Sequence, residues 1–395
     1  MKILVVCQYY YPEPFRVTDI CEELVKRGNQ VTVLTGLPNY PEGKILKEYK
    51  KKEHRDEIRN GVRVIRCNEH GRGHNAINML WNYFSFAISG MRKIKKLDKD
   101  FDIVFINQLS PVMMAWPGIK YAKRYNKKIV LYCYDLWPAS LAAGGIRKES
   151  IIYKIFKNIS KKIYEKVDEI CITSHKFVDY FREEHQINEN KLSYLPQYCE
   201  DIYNKIESQF KKNEMNYVFA GNIGKMQSIE TIIRAAEIIK DNKAIKIHIV
   251  GDGRDLSNCI AIAKEKGLDN IIFYGRKSIE EMPKFYSMAN AMLVTLAKDE
   301  LVSNTLPGKV QSYMAAGKAI IASADGETSF VIKESNSGLV CSAEDSNGLA
   351  KIMVDFMNYD CSIFECNARN YSNANFRKDN FFSNLENELK AVIKK

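Results

Sequence analysis

Short, mainly apolar runs recur along the chain, each followed by a polar or glycine-bearing loop and then by a stretch with apolar residues at helical spacing. In the first half the runs fall at 3–7, 31–34, 62–67, 103–107, 129–133, 170–173 and 192–195. The 3–7 run is apolar at every position, which suits a central strand covered on both faces, the burial of a parallel sheet. Between the first two, Ile20, Leu24 and Val25 mark a helix that Gly28 stops, giving a βαβ unit. Residues 44–59 form a basic run with no pattern. A polar, lysine-rich stretch at 199–214 reads as a linker, and the alternation then restarts at 217–220, 245–250, 271–274, 291–296 and 319–324. Phe381, Phe382, Leu385, Leu389, Val392 and Ile393 predict a last amphipathic helix. The pattern predicts an α/β protein of two Rossmann-like, doubly wound domains.

The turns of the second half have a common form. GNIG, GDG (Gly251–Gly253), Gly275–Arg276 and PGK each follow a strand and precede a helix. Glycine permits tight turns and close backbone approach, and helix starts present unpaired N–H groups to anions. In 306–324, LPGKVQSYMAAGKAIIASA, Pro307 is expected at the first helical position, with Leu306 a poor N-cap. The N–H groups of Gly308 and Lys309 then lack a side-chain partner, and Lys309 stands beside them. Gly317 ends the helix. Four such turns on one sheet edge either form a site for a phosphate-bearing nucleotide or merely serve as tight βα turns.

The first half lacks G-x-G-x-x-G, so a tightly held dinucleotide is not expected. Its first loop, QYYYPEPFRVT, places Glu13 and Arg16 among tyrosines at a strand end, either at a ligand or packed on its own domain. Tyr40 lies in the next loop, GLPNYPEGKI. Asp135 follows the 129–133 run and either faces a ligand or caps the next segment. From Asn75 to Lys96 the chain is apolar and aromatic with a basic end. From Arg147 to Lys166 a second basic amphipathic helix is predicted. Each is either a core helix or lies on a membrane surface.

Composition narrows the partners. The 59 Lys and Arg against 48 Asp and Glu give +11, which suits anionic ligands or an anionic membrane. No nucleic-acid-binding signature accompanies the charge. The ten cysteines include no CxxC pair, and Cys7, Cys67, Cys133, Cys171 and Cys341, in or beside apolar runs, read as reduced, buried thiols of a cytosolic protein. The start has too short an apolar run for a signal peptide, and no stretch is long enough to span a bilayer. A cytoplasmic protein lying on the inner face of the membrane is expected.

VFAGNIGKMQSIETIIRAA, IVGDG, FYGR and LPGKVQSYMAAGKAIIAS, in that order, resemble the C-terminal domain of retaining family 4 glycosyltransferases of the GT-B fold. YYYPEPFRVTDICEELVKRGNQVTVLTGLPNYPEGKI and YDLWPASL resemble the branch containing L-fucosamine transferases of O-antigen and capsule assembly. The resemblance implies domains facing a cleft. Residues 1–198 would bind the acceptor, 215–377 the nucleotide sugar, and the C-terminal helix 378–395 would cross back to the first domain. It further implies a UDP-sugar donor, of the N-acetyl-L-fucosamine type or a related amino sugar. The acceptor would be a polyprenyl-diphosphate-linked glycan, with no metal and no cofactor.

Its site residues carry over with departures. Two glutamates eight residues apart are expected, but Ser303 and Gln311 stand there. Gln311 can still hydrogen-bond ribose hydroxyls, and Glu300 is the nearby carboxylate that could serve. The family's diphosphate-gripping Arg and Lys align with Asn222 and Gln227, leaving Lys225 and Lys309 as the cations. The implied donor site is thus Asn222, Lys225, Gln227, Gly251, Gly275, Arg276, Ser303, Leu306, Gly308, Lys309 and Gln311. Asp135 and Glu300 are the catalytic candidates, and Glu13, Arg16 and Tyr40 lie on the acceptor side. Two other functions fit the same fold: a nucleotide-sugar 2-epimerase and a non-catalytic sugar-nucleotide-binding protein.

Overall fold

A computed structural model of the chain describes all residues except 52, 74–75, 205 and 210–213, and only the backbone of 76, 77 and 143. The chain divides into two compact units. One comprises residues 1–173, 177–195 and 382–395, the other 174–176 and 196–381.

The first unit is built on eight strands: β1 (Lys2–Val6), β2 (Gln30–Thr35), β3 (Asp56–Arg59), β4 (Val62–Arg66), β5 (Ile103–Gln108), β6 (Lys128–Cys133), β7 (Glu169–Ile172) and β8 (Leu192–Tyr194). Their order is β3-β4-β2-β1-β5-β6-β7-β8. Every pair is parallel except β3–β4. The expected parallel strands are therefore all present, and β3 is added from within the basic run. Asn60 and Gly61 both have positive φ, 46° and 81°, the two-residue turn that suits a twisted hairpin. β1 lies at the centre, and Ile3, Leu4, Val5 and Val6 are fully buried. Each such side chain stabilises the fold by about 1.5–3 kcal/mol relative to exposure.

The second unit carries β9 (Met215–Ala220), β10 (Ile245–Val250), β11 (Ile271–Gly275), β12 (Ala291–Thr295), β13 (Ala319–Ser323) and β14 (Gly338–Cys341). All neighbours are parallel, in the order β11-β10-β9-β12-β13-β14. The order reverses between β9 and β12, and crevices for ligands open at the carboxyl ends of strands at such a reversal.

Two readings are corrected here. Part of 199–214 is not a free linker. The Cys199 N–H donates to Phe376 O at 2.9 Å, and the Tyr203 ring stacks on Tyr286 at 5.1 Å. Arg369 donates to the carbonyls of Asn204, Ile206 and Ala316. Cys199, Tyr203 and Ile206 thus join the second core, while 205 and 210–213 lie outside the described residues. The apolar residues at 199, 203 and 206 are too sparse to register as a helix or strand, but each fills a gap in that core. The second correction concerns Pro307. It is the N-cap of helix Gly308–Ala315, with φ −66° and ψ 136°, rather than its first residue.

The last helix is Lys378–Lys394, and its residues from Phe382 on pack in the first unit. Phe382, Leu385, Leu389 and Val392 are buried there. The Asn29 amide donates to Glu386 at 2.8 Å. The aromatic stretch forms helix Ala76–Lys93 followed by a single turn to Lys96, and Asn75 falls outside the described residues. One face of this helix (Asn82, Tyr83, Phe86, Ala87) is buried, whereas Leu80, Trp81 and Ile88 are exposed. Helix Ile151–Glu165 likewise buries Tyr153, Phe156, Ile163 and Tyr164 and exposes Ile151, Ile152 and Ile155. Both are therefore core helices that also show an apolar outer face. Among the described residues no helix is long and apolar enough to cross a membrane.

Candidate active site

In the second unit, the turns after β9, β10 and β11 meet in a pocket of about 450 Å³. It is lined by Gly221, Asn222, Gly251, Asp252, Gly253, Arg276 and Lys277, with Val250 and Met282. The turn after β10 must be glycine because it touches the turn after β9. A Cβ on Gly251 would stand 1.8 Å from Gly221 O. The Gly251 N–H donates to Gly275 O at 2.9 Å, so Gly275 braces the turn.

Lys309 reaches this edge from the first turn of helix Gly308–Ala315. Its Nζ would lie 3.2 Å from a Cβ on Gly221 and sits 3.9 Å from the Phe219 ring centroid. The residue is half-buried, but the Nζ is sealed and has no hydrogen-bond partner among the described residues. Burial lowers it to about 7, because a desolvated ammonium without a counter-charge is costly. Pro307 supplies no side-chain cap to the helix start. Tyr313, one turn further on, locks the end of β9: its hydroxyl donates to Ala220 O and accepts from the Ala220 N–H, both at 2.9 Å.

The remaining donor-side candidates are placed less directly. Asn222 donates to Gln227 Oε1 at 3.0 Å, and the Gln227 carbonyl accepts from Thr295 Oγ1 at 2.6 Å. Gln227 thus shapes the turn, while Lys225 is exposed and does not line the pocket. Leu306 is buried in the core. Gln311 is buried, and its amide donates to Gln197 O at 2.7 Å. Ser303 packs its backbone against Gly326, whose Cβ would meet Ser303 O at 2.0 Å. Glu300 is exposed in the first turn of a five-residue helix, and the carboxylate that caps that helix is Asp299, accepting from the Val302 N–H at 3.0 Å.

Sequence reasoning missed Glu327. It follows Gly326 at the next strand-to-helix turn and is fully buried. It accepts from the N–H groups of His175 and Lys176 and from His175 Nδ1, at 2.9–3.0 Å, within the same unit. Burial opposes its charge, but these bonds outweigh burial and hold its carboxyl below the ordinary value. The strand–glycine–helix form at 323–327 matches the other turns and was the available signal.

In the first unit the strand-end loops gather two carboxylates. Glu13 Oε1 accepts from the N–H groups of Asn39 and Tyr40 at 2.9 and 2.8 Å, and its other oxygen from the Tyr10 N–H at 3.3 Å. Glu69, also missed in the sequence, accepts from Gln8 and Asn82 at 2.7 Å each, from the Asn39 amide at 3.3 Å and from the Leu37 N–H at 3.0 Å. A Cβ on Gly36 would lie 1.6 Å from the Glu69 carboxylate, so only glycine admits this approach. Burial is the largest cause raising both, Glu13 to about 7 and Glu69 to about 8. Glu13 therefore organises the loop that carries Tyr40, and Tyr40 leans on Phe15 at 5.2 Å between centroids. Arg16 precedes helix Val17–Lys26 as its N-cap.

Asp135 is not the cap of the next helix, Ala139–Ala143, whose N-cap is Pro138. Its Oδ2 accepts from the Ser110 N–H and hydroxyl, both at 2.9 Å. Ser110 Oγ in turn accepts from Trp137 Nε1 at 2.8 Å. Burial raises the Asp135 carboxyl, and the Ser110 bonds offset part of the shift. Among the described residues no group of three or more His, Cys, Asp or Glu could hold a metal ion.

A family model described as Glycosyltransferase Family 4 matches residues 15–197, and one described as Glycosyl transferases group 1 matches residues 202–375. WbjE of Pseudomonas aeruginosa, named a probable glycosyltransferase, is 26% identical over an alignment covering 64% of each chain. WcaI of Escherichia coli, whose name gives it as a colanic acid biosynthesis glycosyl transferase, is 23% identical over 83% of this chain and 84% of its own. HepE of Anabaena, solved in complex with UDP, superposes with a TM-score of 0.71 over 99% of this chain and all of its own, at 12% identity. With one family model on each unit and little of the chain left over, the protein belongs to the GT-B-fold glycosyltransferases, family 4 in its first unit and group 1 in its second.

Proposed function

We propose that the protein is a retaining glycosyltransferase. It moves a sugar from a UDP-sugar, of the N-acetyl-L-fucosamine type or a related amino sugar, to a polyprenyl-diphosphate-linked glycan at the inner membrane surface. The observation that carries the donor half is Lys309: a buried ammonium with no hydrogen-bond partner among the described residues, at the edge of a glycine-lined pocket. A diphosphate would supply the missing counter-charge, with the N–H groups of Gly308 and Lys309 and the side chain of Arg276 as further donors. UDP is the nucleotide bound by HepE, and polysaccharide assembly is the setting in the name of WcaI.

As the glycosidic bond breaks, negative charge grows on the leaving diphosphate. Cationic and N–H groups fixed beforehand stabilise that charge more in the transition state than in the ground state. In this reading the protein's own cations neutralise the leaving group and no metal is required. Asp135, oriented by Ser110, is the acid that meets the reacting sugar or the acceptor hydroxyl. Glu300, Asn222, Gly251 and Gly275 border the donor, and Glu13, Arg16 and Tyr40 shape the acceptor side. The exposed apolar faces at Leu80, Trp81 and Ile88 and at Ile151, Ile152 and Ile155, with lysines among them, support contact with an anionic membrane.

The test is a panel of nucleotides and nucleotide sugars followed by thermal shift, since a ligand stabilises the form it binds. Stabilisers are then incubated with polyprenyl-diphosphate glycans. UDP-sugar stabilisation and transfer with an unchanged anomeric configuration support the reading. Isomerised donor without acceptor would replace it with an epimerase, and stabilisation without turnover would replace it with a binding protein.

A further inference from the structure

The first unit contains a second pocket, of about 700 Å³, that the donor reading does not use. Its lining is Lys50, Arg55, Arg66, Arg92, Lys93 and Lys96 with Cys67, Asn68 and Ser89, and none of these is acidic. Two features show that it is built. The Arg66 side chain is completely buried, and its Nε and Nη1 have no hydrogen-bond partner among the described residues. Its Nη2 is held by Tyr11 O and Glu57 at 2.9 and 3.0 Å, and its guanidinium lies 4.7 Å from the Tyr49 ring centroid. Arg55 is fixed to Asn68 Oδ1 at 2.9 Å. Burial holds Arg55 below its ordinary value, with a lesser contribution from the charge of Arg66.

Six cations around one space repel each other, and a sealed guanidinium with unused donors is costly. An anion removes both penalties. A planar guanidinium with free N–H groups suits phosphate oxygens in particular.

Helix Ala76–Lys93 and the turn after it, which carry half of the cations, define the rest of the ligand. Leu80, Phe84, Ile88 and Arg92 follow one another at four-residue steps on the helix, so they form a single ridge. The ridge is apolar over its first three positions, with Leu80 and Ile88 exposed. Arg92 at its end and Lys96 in the turn just beyond it are cationic and line the pocket. Resting on the reading of a lipid-linked acceptor, we propose that this pocket binds the phosphate or diphosphate head of an amphiphile whose apolar chain lies along Leu80, Phe84 and Ile88.

The probes are farnesyl diphosphate, farnesol, inorganic pyrophosphate, and vesicles of phosphatidylglycerol or phosphatidylcholine. They are applied to the full chain, to R92Q/K96Q, whose substituted side chains are exposed, and to K309M. The expected result is that farnesyl diphosphate binds at least about tenfold more tightly than farnesol or pyrophosphate. R92Q/K96Q loses that gain with an unchanged melting temperature, and K309M keeps it. Preference for farnesyl diphosphate over phosphatidylglycerol vesicles assigns the head to an isoprenoid. Equal or stronger binding to those vesicles, lost in R92Q/K96Q, assigns it to a bilayer phospholipid. The proposal is overturned if R92Q/K96Q binds every probe as the parent does, if K309M alone abolishes farnesyl diphosphate binding, or if the parent binds no probe. UDP binding, measured in the same samples, separates the two ideas: its absence in the parent removes the donor reading and leaves the pocket standing.

Discussion

Lys309 Nζ sits 3.9 Å from the centre of the Phe219 ring, with no hydrogen-bond partner among the described residues. The ring face attracts the cation, but it cannot replace water or an anion. Burial therefore destabilises the charged form of Lys309. K309M, which keeps the length and removes the charge, should raise the melting temperature of the ligand-free protein and weaken UDP binding at least about tenfold. Scanning calorimetry with and without UDP checks both halves.

The same group gives a pH dependence. Lys309 titrates near 7 in the folded chain against 10.5 when unperturbed. Between those values the unfolded chain binds more protons, so this residue makes stability rise with pH across that window. A bound diphosphate should restore the proton, and UDP binding above pH 7 should then take up protons. Calorimetric titrations in buffers of different ionisation enthalpy measure that uptake, and none should remain in K309M.

Glu13 and Glu69 work in the opposite direction. Both are raised from 4.5, to about 7 and about 8. Between pH 4.5 and those values the folded chain binds more protons than the unfolded one. Their contribution is thus present at low pH and is lost as pH rises toward 8. E69Q should flatten the fall in melting temperature between pH 5.5 and 8.5. A fall of equal steepness in E69Q would remove Glu69 as its source.

Gln311 donates to Gln197 O at 2.7 Å, and a carboxylate cannot make that bond. Q311E should destabilise the second unit by about 2–3 kcal/mol at neutral pH, through a buried charge facing a carbonyl. It should recover as pH falls and the glutamate protonates. Chemical denaturation at pH 7.5 and 5 checks the sign. The departure from a glutamate here is then a local requirement of the neighbouring backbone.

Asp135 is held by Ser110 through one oxygen, which an asparagine oxygen can reproduce. D135N should keep the melting temperature and UDP affinity. It should lower the rate of transfer about 10²-fold or more, the scale of a positioned acid or base. S110A should lower the rate less and shift its pH profile, because it changes the environment of Asp135 without removing it.

Much of the molecule was legible in the chain. The mainly apolar runs marked every central parallel strand because a strand covered on both faces has few polar positions to spare. The glycines at 221, 251 and 275 marked the ligand edge: backbone contact leaves no room for a side chain at 251, and all three have positive φ. Strand β3 was hidden by its composition, since an edge strand needs no apolar run, although Asn60-Gly61 announced its turn. Residues 199–206 passed for a linker because isolated Tyr203 and Ile206 carry no period.

What the sequence determined by itself is local: periodicity fixes which segments are strands or helices, and turn residues fix where backbone can approach backbone. What only the tertiary structure decided depends on desolvation. Glu69, Glu327 and Arg66 read in the chain as ordinary charges, and Lys309 as a candidate cation whose burial no pattern showed. Folding removes their water, gives Glu69 and Glu327 hydrogen-bond donors, and leaves Lys309 and part of Arg66 without acceptors among the described residues. That difference comes from neighbours distant in sequence, so no local pattern could have shown it.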